Sequence, residues 1–387
     1  MRIVRRRLVL AAALALAAAC ANTPQSGFGT AQVIAPGVEL FRTTDQSLVD
    51  PAGPIAAYLL KLDPAKVKLT SVLSNDEVMN AERVADIAAR HGAIAAVNGG
   101  FFNVKNGEPM GLLKVAGELV SDNTLVKGAV IIRSPADAAT TLAFDQLSAK
   151  MSVTFKDANG KPITLPIDGV DTTRERGKLM LYTPAYHADT DTAPAGTDWI
   201  LDGSPLTVVA VRTNEAKAPI PRKGAVLSFG GVDLPEPLED LVDGAAVTFS
   251  TSWKSLNNTA VDVLEHADHI VNGAGLLRRN GVALTDWSAE NLIPATFTHI
   301  RHPRTLIGVD GRGFIWLVAV DGRQSDYSVG MTFADLQRLC DRIGLRDALN
   351  LDGGGSTTMW VNGQVVNRPS DANGPRAVSD ALLVRAR

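Results

Sequence analysis

The sequence predicts an α/β (α+β) fold, a mixed sheet carrying helices, with a β-rich lobe inserted into it. Three observations lead there. Two stretches, "SNDEVMNAERVADIAARHG" (74–92) and "TFADLQRLCDRI" (332–343), place apolar residues at helical spacing. Each runs on into a short apolar strand, "AIAAV" and "ALNLD". Between about residues 128 and 249 the chain changes to short alternating segments broken by Gly, Pro and Asn-Gly turns, such as "MSVTFKDANGKPITL". Strands and helices alternating at both ends of a β-rich middle define this class.

The elements follow in order. "MRIVRRR" is basic, Leu8 to Ala19 is wholly apolar, and Cys20 follows, which reads as a secretory signal peptide over 1–20, too short to span a membrane. "LALAAAC" resembles a lipoprotein processing site, with Cys20 as the lipidated residue; simple cleavage after Ala-x-Ala is the alternative, since Ala17 stands where leucine is usual. Arg5-Arg6-Arg7 fits a twin-arginine signal or an ordinary basic leader. The protein is therefore expected to be exported, to the periplasm or to a membrane-anchored place in a bacterial cell envelope. Residues 21–32 are small and polar, as in a tether, with folded structure from Val33 to the end, 33–387.

In the first helical stretch Val78, Val84, Ile87 and Ala88 share a face, and Gly92 ends it. In the second, Thr332 and Asp335 form a capping-box pattern, and Phe333, Leu336, Cys340 and Ile343 point one way. Cys340 reads as a small core hydrophobe; with Cys20 lipidated no disulfide is available, and two cysteines make no zinc cluster. The chain has 387 residues, 45% hydrophobic and 20% charged, with formal charge −3. That is enough for a substantial core, and it provides no basic face for DNA or RNA.

One pattern recurs: an apolar run ends in Asn or Asp and then glycine, at Asn98, Asn272, Asp321 and Asp352. Singly each reads as a turn; together they read as strand ends converging on one pocket. The fullest, "NLDGGGSTTMW", is not a phosphate loop, because no lysine follows its glycines and β-branched residues lead to the Asn362-Gly363 turn. Arg301, Arg304, Arg323 and Arg376 lie near these motifs and offer guanidinium forks to carboxylate or phosphate oxygens. Two carboxylates, Asp321 and Asp352, beside such arginines suit hydrolysis at an acetal carbon with a charged leaving group. Two rivals stand beside this reading. In one, Asp321 and Asp352 hold a divalent cation, Ca²⁺ or Mg²⁺, for phosphoester hydrolysis, although His266 and His269 fit a helix end better than a metal site. In the other, the chain binds glycan without turnover, with Trp287 and Trp360 as candidate platforms.

"VNGGFFN", "VNGAGLLRRNG", "HPRTLIGVDGRGFIWLVAVDGR", "SVGMTFADLQRL", "ALNLDGGGSTTMWVNGQVVNRPSD" and "RAVSDALLV" occur in the order seen in the phosphodiester glycosidase family, which the chain resembles from Val33 onward. The resemblance implies an α/β catalytic domain cleaving a glycosidic bond to a phosphodiester. It implicates Asn98, Gly99, Gly100, Asn272, Arg304, Asp321, Arg323, Asp352, Gly354, Ser356 and Arg376. Our role assignment makes Asp352 the leading catalytic carboxylate and Asp321 its partner. Arg304 and Arg323 bind phosphate, and Ser356 joins the glycine-loop amides as an oxygen ligand. Ala274-Gly275 departs from the glycine and proline expected after the Asn272 motif. The expected partners are a glycan or sugar-phosphodiester of the cell envelope and, through the lipid anchor, a membrane.

Overall fold

The computed structural model describes residues 28–387. The expected signal peptide, Cys20 and the first part of the expected tether lie outside the described residues. The tether expected over 21–32 ends earlier than that: Phe28 is already buried, and a strand begins at Gln32. An aromatic side chain can dock even from a polar stretch, because its ring buries a large apolar area.

The body is two antiparallel sheets face to face. The first orders Gln32–Ala35, Val38–Thr43, Ala57–Leu62, Ile315–Val320, Arg304–Asp310, Leu345–Asn350, Leu276–Arg279 and Val282–Ala283. The second orders Gln364–Val365, Met359–Val361, Ala95–Asn98, Asp380–Ala386 and Val67–Leu73. Side chains alternate across a strand, and this decides what each sheet buries. Leu60, Ile307, Leu317 and Leu349 of the first sheet meet Val97, Met359, Leu382 and Val384 of the second in one core. The opposite faces carry a helix each. Leu59, Trp316 and Val318 pack against Leu336, Leu339 and Cys340 of helix Phe333–Ile343. Ala96, Ala381 and Leu383 pack against Val84, Ile87 and Ala88 of helix Val84–Arg90. The result is helix, sheet, sheet, helix.

A third sheet, with Thr141–Lys156 as its long strand, runs from the body to a five-stranded lobe sheet that includes Leu179–Tyr182, Gly196–Asp202 and Ala225–Gly230. The lobe has its own core around Trp199, Leu227 and Phe229.

The expected α/β class holds only loosely, because strands far outweigh helices and the sheets are not mixed as expected. The single parallel strand pair among the described residues joins Gly169–Val170 to Leu179–Tyr182 in the lobe. Strand periodicity is visible in sequence, but partner and direction are not. The first helix is also shorter than its pattern. Asn75, Asp76 and Asn80 take left-handed φ values of 50°, 60° and 74°, which a helix cannot contain, so helical structure starts only at Val84. Val78 is still buried, from outside the helix. The capping box of the second helix forms, Thr332 accepting from the Asp335 amide and Asp335 from the Thr332 amide. Cys340 is buried, and desolvation pushes its thiol up to about 12, beyond any nucleophilic use.

Candidate active site

Asn98 ends a strand of the second sheet and Asp352 follows a strand of the first, so the two sheets meet where these residues lie. Asn98 joins them. Its Nδ2 donates to the Asp352 carbonyl (2.8 Å), and its Oδ1 accepts from Thr305 Oγ1 (2.7 Å) and the Thr358 amide (3.2 Å). The Asp352 amide returns to the Gly99 carbonyl at 3.2 Å. Asn272 is likewise buried and engaged with backbone, accepting from the Leu112 amide and donating to the Gly128 carbonyl. Both asparagines were expected to face substrate. In the fold their amides tie strands together, as buried amides must find partners.

Asp352 opens instead onto a cavity of about 250 Å³, lined also by Arg304, Arg323, Arg376 and His302, with Phe101 and Phe297 as an apolar wall. The glycines of "DGGGS" explain themselves here. A Cβ on Gly354, whose φ is +60°, would stand 2.9 Å from Arg323 Nη2, and one on Gly355 would stand 2.2 Å from Arg376 Nη2 and the Asp371 carboxylate. The loop is bare because guanidinium groups lie on it. Gly355→Ala should therefore push Arg376 off the loop. We expect at least a tenfold loss of kcat/KM with the fold retained, checked by steady-state kinetics and circular dichroism.

The electrostatics are uneven. Asp352 keeps partial contact with solvent through the cavity, yet the atoms packed around it desolvate its carboxylate and push the pKa up to about 6. The Ser356 hydroxyl, the Gly353 amide and Arg376 pull the other way, and the Asp380 carboxylate adds to the rise. Arg304 is 1% exposed, and burial lowers its pKa to about 10. It stacks between Phe297 and Phe333 and gives Nε and Nη2 to the carbonyls of Met331, Phe297 and Ile300. Its charge reaches the cavity more than its donors do. Arg323 is held by His302 Nδ1 (3.3 Å), whose imidazole pKa falls through burial and the nearby guanidiniums. Arg376 pairs with Asp371 at 2.9 Å. Among the described residues, neither Arg304 nor Arg323 has a carboxylate within ion-pair distance.

Asp321, the expected partner of Asp352, lies outside this cavity. Its carboxylate is buried and accepts from Asn367 Nδ2 (2.8 Å), the Arg368 amide (2.9 Å) and Tyr327 Oη (3.1 Å), fastening two loops. Gly99, Gly100 and Ser356 lie close by. Ser356 is fully buried beside Asp352, and Gly99 and Gly100 pack on a carboxylate that the motif pattern missed, Asp380. Asp380 follows Ser379 instead of preceding glycine, so nothing local marks it. Among the described residues no three His, Cys, Asp or Glu side chains come together as a metal site. His266 caps a short helix, while His269 starts a strand, its pKa lowered to about 4 by burial. A larger cavity, about 610 Å³, lies at the lobe by Arg174, Tyr186 and Gly230, but none of the Asn-Gly or Asp-Gly motifs reaches it.

Residues 200–385 match the family model described as phosphodiester glycosidase. The chain is 35% identical over 113 residues to the SPbeta prophage-derived uncharacterized protein YomE of Bacillus subtilis, covering 27% of this chain and 17% of that one. It is 27% identical over 152 residues to N-acetylglucosamine-1-phosphodiester alpha-N-acetylglucosaminidase of Bos taurus, covering 37% and 28%. The matches thus span well under two thirds of the relatives' lengths. The crystal structure of a hypothetical protein from Synechocystis shares the fold, with a TM-score of 0.72 at 21% identity over 91% of this chain and 62% of that one. The stretch that matches the phosphodiester glycosidase family model, residues 200–385, is the one that holds Asn272, Arg304, Arg323, Asp352 and Arg376.

Proposed function

We propose that the protein is an exported hydrolase that cleaves the glycosidic bond of a sugar-1-phosphodiester in an envelope or extracellular glycan. The observation that carries this reading is one desolvated carboxylate, Asp352, sharing a cavity with two guanidiniums, Arg304 and Arg323, that have no ion-pair partner among the described residues. Arg304 is buried and Arg323 stands exposed at the rim, and positive charge gathered on one cavity without a carboxylate partner calls for an anion. The phosphodiester would sit against Arg323 and Arg376, in the field of Arg304, with the anomeric carbon toward Asp352.

In its ionised form Asp352 supplies the electron pair that displaces the leaving phosphate, either directly or by taking a proton from water. The departing phosphate oxygen needs little protonation, because its charge is neutralised by the arginines. One carboxylate in the cavity therefore suffices, and the distance of Asp321 is no obstacle. The Phe101 and Phe297 rings give the sugar an apolar wall.

The test is hydrolysis of a sugar-1-phosphodiester of a chromogenic alcohol, with products identified. Free sugar released in the presence of chelator supports the proposal; sugar phosphate whose release stops in chelator would replace it with metal-dependent phosphodiester cleavage by Ca²⁺ or Mg²⁺. Binding of the substrate without any product would leave a glycan-binding module. Arg323→Ala should lower kcat/KM roughly 10²-fold. It should leave the melting temperature within a degree or two, since among the described residues the Arg323 side chain hydrogen-bonds only to His302. Export and anchoring rest on the first twenty residues, and Cys20→Ala should release the protein from the membrane fraction.

A further inference from the structure

We propose that Asp380 is a positioning residue of this site, its buried carboxylate clamping the Gly99–Gly100 turn that in turn holds Asp352. The strand Asp380–Ala386 pairs with Ala95–Asn98, Ala381 opposite Asn98, which brings the Asp380 side chain beside the turn that follows Asn98. The turn and the carboxylate fit closely. Asp380 Oδ1 accepts from the Gly100 amide at 3.1 Å and from Ser379 Oγ at 2.8 Å, and the Gly99 amide donates to the Asp380 carbonyl at 3.0 Å. A Cβ on Gly99 would fall 1.8 Å from Asp380 Oδ2, so glycine is required there by the carboxylate and not by a positive φ. The other side of the same turn belongs to Asp352, whose amide donates to the Gly99 carbonyl at 3.2 Å, while Asn98 holds its carbonyl.

What this clamp does not need is a charge. Asp380 is 1% exposed and has no cation within ion-pair distance among the described residues. Burying a lone carboxylate is costly, and asparagine could accept the same backbone hydrogen bond more cheaply. Burial raises the Asp380 pKa while the Ser379 hydroxyl and the Gly100 amide pull it back down, and in its ionised form a carboxylate so placed beside Asp352 points to an electrostatic role. Asp352 is faced by Arg376 and Asp380, and it shares its cavity with Arg304, Arg323 and His302; Asp371 stands behind Arg376. In that surrounding Asp380 is the negative group that opposes the arginines. It keeps the Asp352 carboxylate basic enough to act, while the arginines hold the phosphate.

This inference rests on the role of Asp352 proposed above, so its test has an arm independent of turnover. Asp380→Asn in the full chain keeps an acceptor for the Gly100 amide and removes the charge. The Asp352 carboxyl is followed by ¹³C NMR titration, its signal assigned by its loss in Asp352→Asn. We expect its midpoint to move down, because a like charge has gone, with the acid limb of kcat/KM moving the same way. We also expect kcat to fall tenfold or more with KM changed less than threefold. Ser379→Ala, which removes only the hydroxyl donor to Asp380, should move the same readouts in the same direction by less, and it serves if the first variant does not fold. A folded variant in which Asp352 titrates as in the wild type and kcat is unchanged would overturn the inference. If the wild type hydrolyses no sugar phosphodiester while the midpoint still moves, the proposed function falls and the coupling of Asp380 to Asp352 stands.

Discussion

Asp352→Asn is expected to lower kcat/KM on a sugar-1-phosphodiester by roughly 10³–10⁴-fold, the upper range for loss of a general acid, base or nucleophile, while leaving the protein folded. Nothing about the side chain's shape changes. The substituted amide keeps an oxygen to accept from the Gly353 amide, which the native carboxylate does at 2.8 Å. The backbone bonds to Asn98 and Gly99 are untouched. What is lost is the electron pair. The pH dependence of the wild type follows from the same cause. The active form is ionised, so kcat/KM should rise with pH through about 6, the value to which burial pushes this carboxyl. The sign for stability is the opposite. A carboxyl raised from 3.8 in the unfolded chain to about 6 in the folded one favours the fold while protonated, and that contribution is lost as pH rises through 6. Asp352→Asn should therefore melt at or above the wild-type temperature at pH 8, measured by calorimetry. A variant that keeps its activity would remove Asp352 from the chemistry.

Arg304→Leu should instead damage the fold, by roughly 3–5 kcal/mol, the range for breaking a buried charged network. Its guanidinium gathers the carbonyls of Met331 (3.0 Å), Phe297 (2.6 Å) and Ile300 (3.0 Å). Leucine would leave these acceptors without a donor. The Phe297 and Phe333 rings stack on the cation at 5.0 and 4.9 Å, and Phe297 is also a wall of the cavity. Activity and stability should thus fall together, unlike in Arg323→Ala, and urea unfolding beside kinetics separates the two cases. Arg304→Lys keeps the charge but not the planar fork, and should recover only part of the loss. If Arg304→Leu unfolded at the wild-type urea concentration, the buried network would not be what holds the 297–304 segment.

The four strand-end motifs predict convergence on one pocket, and the fold treats them differently. Asp352 reaches the cavity, Asn98 and Asn272 tie the strands around it, and Asp321 fastens a neighbouring pair of loops. "VAVDGR" and "LNLDGGG" look alike locally, because both deliver a carboxylate at the end of an apolar strand. Nothing within seven residues says whether that carboxylate will meet arginines or the amides of another loop. The arginines were more legible. Arg304 opens an apolar strand, where a long cation needs a reason, and the reason is a ring stack and three carbonyls.

The sequence by itself determined the local matters: where strands end, the capping box at Thr332, the core-facing Cys340, and a run of glycines beside a carboxylate. These depend on contacts a few residues long, which composition and period encode directly. Only the tertiary structure decided which carboxylate shares a cavity with Arg304, Arg323 and Arg376, and that Asp380 stands behind Gly99. Those placements come from strand pairing and from the packing of one sheet on the other, between residues as far apart as Gly100 and Asp380. A shift of one residue in either pairing would turn each side chain to the opposite face, and no local pattern records that choice.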